Sequence, residues 1–186
     1  MRSLEKLIAM IDEPNARASC LTLMYDHGSR FAKAWGSTHN HQAWPGGYLE
    51  HVRDVMNIAV ELHDTLSGFR FLPFSLSDAL LVLFLHDIEK PWKHDYHKLV
   101  YENIGFGTGP DNCGLEWNKR TRTIVRNILL RAHKFELTQE QENAMRYVEG
   151  EGSDYSSKRR VMNELAAFCH MCDVASARIF HSKEAY

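Results

Sequence analysis

Long apolar runs are scarce in this 186-residue chain: none approaches the roughly 20 residues of a membrane-spanning helix. Cysteine is sparse too. Four thiols in a chain this size make no disulfide framework, and reduced cysteines with a cytoplasmic address are the expectation. Charge of one sign is missing. A formal net charge of −2 gives no global reason to expect nucleic acid or an anionic membrane as partner. The basic run SSKRR at 156–160 reads as a solvated face. No convincing period-2 alternation and no Asn-Gly or Asp-Gly hairpin occurs, which argues against sheet. Internal repeats and low-complexity segments are absent as well.

What is present is helical periodicity. Apolar residues make up 44% of the chain, an ordinary soluble proportion and enough for one core, so a single all-α domain spanning 1–186 is expected. The N-terminal MRSLEKLIAMIDEPN has acidic residues among its apolar ones and no small-residue cleavage site. It reads as a short amphipathic helix (3–12) and not a signal peptide. A second helix is expected near 15–35, then a turn at AWPGG, 43–47. YLEHVRDVMNIAVELHDTL carries Leu49, Val52, Val55, Met56, Ala59 and Leu62 at helical spacing.

Ser77 can cap the following helix, DALLVLFLHDI, whose lack of a polar face places it at the centre and which Pro91 stops. The stretch 103–114, NIGFGTGPDNCG, is a flexible loop with glycines too irregular for a phosphate-binding fingerprint. Helix resumes over 115–132. Thr138 and Gln141 form a capping box for a helix to about 148, and a last helix is expected over 156–181 on a stripe of Val161, Leu165, Phe168, Cys172, Ala175 and Ile179. Cys169 and Cys172 share a helical face as CHMC. Cys20 and Cys113 are isolated, so the reading is packed core thiols and not a zinc site.

The greasy central segment ends in ionisable groups: His86, Asp87, Glu89 and Lys90 lie within five residues. A buried charge without a partner is costly, so the group must be paired, ligated or set at a pocket wall. Three helices each carry a metal-capable residue beside their apolar stripe: His51, then His86 with Asp87, then Asp173. Two imidazoles and two carboxylates suit Mn, Fe, Co, Ni, Zn or Mg, and helical bundles assemble such sites from facing helices.

The order H…HD…D, with the last Asp in an Asp-x-x-Ser-Ala context, resembles the HD-domain superfamily of metal-dependent phosphohydrolases over about 39–180. HQAWPGGYLEHV is similar to a His-Ala-Tyr-Pro-Gly-Gly-Leu-Leu-Glu-His segment found in HD domains of a bacterial exoribonuclease group. LFLHDIEKPW resembles Leu-Leu-His-Asp-Ile-Gly-Lys, and NELAAFCHMCDVASA resembles the family's closing helix. The resemblance implies an HD-type helical bundle with His51, His86, Asp87 and Asp173 as ligands of one divalent ion, two being open. It makes Lys90 the lysine that faces substrate phosphate. It also places His133 where many relatives have a histidine pair, here His-Lys, and His41 at the pocket border.

Glu89 replaces the common glycine and is expected to take or relay a proton. His94 and His97, at i, i+3, could serve a second metal or contact phosphate, and Arg131 or Lys134 could neutralise developing charge. The implied activity is hydrolysis of a phosphoester or phosphoanhydride by a metal-activated water. A small phosphorylated partner, a nucleotide by family habit, would stack on Trp44, Trp92 or Trp117. The chain shows no nucleic-acid-binding appendage, and exoribonuclease activity does not carry over with the motif. A homo-oligomer is open. Two other classes stay open: a di-iron oxygenase drawing on His133 with His94 or His97, and a non-catalytic binding domain stabilised by metal.

Overall fold

The structure is a computed structural model and describes residues 1–37 and 42–180. Among these residues the chain forms eight α-helices: α1 Leu4–Ile8, α2 Pro14–Phe31, α3 Gly47–Ser67, α4 Leu76–Leu85, α5 Tyr96–Ile104, α6 Lys119–Ala132, α7 Gln139–Tyr147 and α8 Glu164–Ile179. No strand occurs among them, only an isolated bridge between Gly109 and Asn112. The architecture is an all-α bundle. No described helix is long and apolar enough to cross a membrane.

Helix α4 is the axis. Every residue from Ala79 to Leu85 is buried, and the helix packs on α1, α3, α7 and α8. A helix without a polar face gains stability only when enclosed on all sides, each large side chain contributing about 1.5–3 kcal/mol on burial. Its cap is Ser75, not Ser77. Ser75 accepts from the Asp78 N–H while the Asp78 carboxylate accepts from the Ser75 N–H, the reciprocal box that orients the first turn. Ser77 accepts instead from the Asp12 N–H at 2.8 Å and ties the segment after α1 to α4. The capping box of Thr138 and Gln141 forms as expected, and Gln141 donates to Asp78 at 2.8 Å, joining the starts of α4 and α7.

Several boundaries differ from expectation. Helix α4 ends at Leu85, well before Pro91, because His86 turns its Nδ1–H back onto the Leu83 carbonyl at 2.7 Å. That carbonyl would otherwise serve the Asp87 N–H. The backbone tightens into i→i+3 turns through Ile88, Lys90 and Trp92, and Pro91 sits inside a single 3₁₀ turn, Lys90–Trp92. Helix α5 lies mostly before the stretch read as loop, 103–114, and runs into it by two residues. Helix α8 begins at Glu164, not 156. Asn143 of α7 holds Asn163 and the Val161 carbonyl in extended backbone, so Asn163 becomes the cap and Val161 stays outside the helix. Ala175 and Ile179 are not core either: the buried face of α8 is Leu165, Ala166, Phe168, Cys169, Cys172 and Ser176. All four cysteines are buried free thiols.

At the Pro-Gly-Gly turn, Gly46 has φ +83°, and any Cβ at Gly47 would collide with the Gln42 carbonyl. Both glycines are therefore required for α3 to start where it delivers His51 inward.

Candidate metal centre

His51 and Asp173 face each other from α3 and α8, and His86 and Asp87 reach them from the turn that ends α4. His51, His86 and Asp87 form a buried group that could hold a metal ion. The two Nε2 atoms lie 3.2 Å apart. Asp173 Oδ1 is 3.1 Å from His51 Nε2 and 3.7 Å from His86 Nε2, and Asp87 Oδ2 is 3.8 and 3.2 Å from the same atoms. All four ligands expected from the sequence therefore converge.

The outer nitrogens fix the rings. A carbonyl only accepts, so His86 Nδ1 carries the hydrogen and its Nε2 points a lone pair at the cluster when the ring is neutral. His51 Nδ1 is held by Ser176 Oγ at 3.1 Å. Two imidazole nitrogens and two carboxylate oxygens brought this close form a donor set that fits a divalent ion.

Without one, a proton does the work. Burial opposes charge on His86, but Asp87 and Asp173 outweigh it and its pKa is pushed up to about 10. Burial also dominates at His51, where repulsion from His86 and Lys90 adds to it and the pKa falls. One proton is thus shared by the pair and resides on His86. Burial likewise opposes charge on both carboxylates, yet their partners win. Asp87 is held well below its ordinary value by Lys90 and His86, and Asp173 is lowered by hydrogen bonds from His51 and His86.

Lys90 bonds Asp87 Oδ2 directly and donates to the Gly36 carbonyl at 3.0 Å. Arg122 of α6 takes the other carboxylate oxygen, Oδ1, at 3.3 Å. Lys90 and Arg122 both line a cavity of about 1040 Å³ whose wall carries Arg30, Lys33, Lys93, His94, Trp35 and Trp117. The cluster thus stands one side chain behind a cationic cavity.

Other expected residues fall elsewhere. Glu89 is fully buried with its oxygens bonded to Arg122 and Arg126, so it is not placed to pass a proton to a substrate. His133 meets His27 of α2, Nε2 to Nε2 at 3.2 Å, away from the cluster. His94 and His97 do not share a face: His94 precedes α5 and lines the cavity, whereas His97 lies 3.1 Å from Cys113 Sγ. Among the described residues, none of His94, His97 and His133 joins the cluster. Arg131 and Lys134 are exposed and do not line the cavity. His41 lies outside the described residues. Of the tryptophans, Trp117 lines the cavity. Trp92 is core, edge-on to His27 and Phe31, and Trp44 donates to Glu50.

Sequence reading missed Arg122, Arg126, Ser176 and the α2 end of the cavity. A signal for the arginines existed: Arg122 and Arg126 lie at i, i+4 beside buried Val125 and Leu129, and like charges so placed repel unless a carboxylate lies between them. Compared with protein-family models, curated proteins and solved structures, the chain matches none.

Proposed function

We propose that this chain is a metal-dependent phosphohydrolase of the HD-domain type that acts on a nucleotide-like substrate. The observation that carries the reading is Asp87, whose one carboxylate joins the buried ligand cluster to two cations, Lys90 and Arg122, that line the cavity. His51, His86, Asp87 and Asp173 would hold the ion. Such an ion supplies an acidified water and a Lewis-acid contact for a phosphoryl oxygen.

The chain's own residues do the rest. The Lys90 ammonium is held by Asp87 and by the Gly36 carbonyl on the cavity wall, and from there would offset charge developing on a transferring phosphoryl group. Lys33 and Lys93, with Lys90, outweigh Asp26 on the wall, where Arg30 is paired with Asp95, and give it a positive field that draws in a phosphate. The indoles of Trp35 and Trp117 offer faces for a base. His94 and His27 are the imidazoles on the cavity wall; His27 is engaged with His133, and since Glu89 is held by arginines, His94 is the one left to give a proton to the leaving oxygen.

The test is phosphate release from nucleoside mono-, di- and triphosphates and from a cyclic dinucleotide, with manganese supplied, for wild type beside Asp87→Ala. Release that depends on the metal and is lost in the variant supports the reading. No release from any of these substrates by metal-loaded protein removes it.

A further inference from the structure

We infer that Glu89 is a positioning residue: clasped between Arg122 and Arg126, it locks the Asp87 turn onto α6 so that Asp87 Oδ2, the oxygen Lys90 also bonds, is kept facing the cluster. The inference rests on the reading of the cluster as a metal site.

Glu89 lies two residues past Asp87 in the tight turn after α4 and is fully buried. Its Oε1 accepts from Arg122 Nε at 2.8 Å and Arg126 Nη2 at 3.2 Å, and its Oε2 accepts from Arg126 Nε at 3.0 Å. Both guanidiniums are anchored at their far ends as well. Arg126 donates to the Met145 carbonyl at 3.2 Å, and Arg122 Nη2 donates to Glu149 at 2.7 Å. The turn after α4, α6, and the end of α7 are therefore stitched together by one set of charge-assisted bonds.

The consequence falls on Asp87. Arg122 Nη2, fixed by Glu89 and Glu149, contacts Asp87 Oδ1 at 3.3 Å. The carboxylate cannot rotate without losing that bond, so Oδ2 stays pointed at His86 and His51. A buried ion-pair network of this kind adds little to stability compared with apolar packing, and its worth lies in fixing one geometry. Partners that orient metal ligands in this way change metal affinity by about 10- to 100-fold when removed. Arg122 spends its donors on three carboxylates, Asp87, Glu89 and Glu149, and so serves the turn and not a substrate.

The experiment is a manganese titration of the full chain by calorimetry, with thermal unfolding of the metal-free protein measured alongside. Glu89→Gln keeps the shape and removes the charge. It is expected to weaken manganese binding about 10-fold or more, and Arg122→Gln, which leaves Glu89 on Arg126, to do the same. The double variant should be no weaker than the worse single one, because the two residues act on Asp87 through one path. Unchanged manganese affinity in a folded variant, whatever its melting temperature, would overturn the inference and leave Glu89 a structural ion pair. If Glu89→Gln does not fold, Arg122→Gln alone decides on the same criterion. Failure of the wild type to bind manganese would instead sink the metal reading beneath it.

Discussion

In the metal-free protein, stability should fall as pH rises from neutrality, and bound metal should reverse the sign. His86 carries the effect. Its pKa lies near the ordinary 6.5 in the unfolded chain and at about 10 in the fold. A group whose folded pKa is raised contributes stability that is complete below the unfolded value and is lost as pH climbs through the folded one. The window is therefore 6.5 to about 10. His51, His27 and His133 are shifted the other way and titrate below it, and Asp87 and Asp173 stay ionised throughout. Burial raises the thiols of Cys20, Cys169 and Cys172, which adds to the fall only above their ordinary value of 9.0. Within the clean part of the window one proton is at stake. That is ~1.4 kcal/mol per pH unit, or about 2 kcal/mol between about pH 7 and about pH 8.5.

For a chain of this length that loss lowers the melting temperature by about 4–8 °C. Urea unfolding and calorimetry in chelator across this range measure it, with His86→Gln as the control that should flatten the slope. With manganese present, ligands must be deprotonated, so stabilisation should grow with pH. A metal-free protein whose stability is level or rises over the window, or a His86→Gln variant that keeps the slope, would refute the one-proton description of the cluster.

Other outcomes follow from the same contacts. Lys90→Ala should keep the metal and lose phosphate-release rate by about 10²–10³-fold, as removal of a charge-stabilising donor does; metal loss in that variant would overturn its assigned role. Leu83→Ala, at a fully buried position of α4, should cost about 2–5 kcal/mol in urea unfolding. Ser75→Ala should cost about 0.5–2 kcal/mol in urea unfolding by removing the cap that Ser77 was expected to supply, and no loss in that variant would contradict the assignment.

The candidate cluster was legible mainly through the H…HD…D order that resembles HD domains; the position of each member beside an apolar stripe left a metal site open without deciding it. The all-α architecture was legible because α3, α4 and α7 have periodicity or caps that no sheet would use. What stayed hidden depends on contacts far apart in sequence. Glu89 read as a free acid because its partners lie 33 and 37 residues away on α6. His94 and His97 read as one face, but α5 starts between them, at Tyr96, with Asp95 at the cap position and its carboxylate held by Arg30 from α2. The start of α8 was misplaced because Asn143, on another helix, sets it. His133 pairs with His27, 106 positions distant, which no local spacing announces.

The most direct test of the central claim is metal content. Purified wild-type protein, reconstituted with manganese and dialysed, would be compared by elemental analysis with Asp87→Ala and Asp173→Ala. One divalent ion per chain in the wild type and none in either variant is the expected result. Absence of bound metal from the wild type, or equal metal in all three proteins, would contradict the assignment of the cluster.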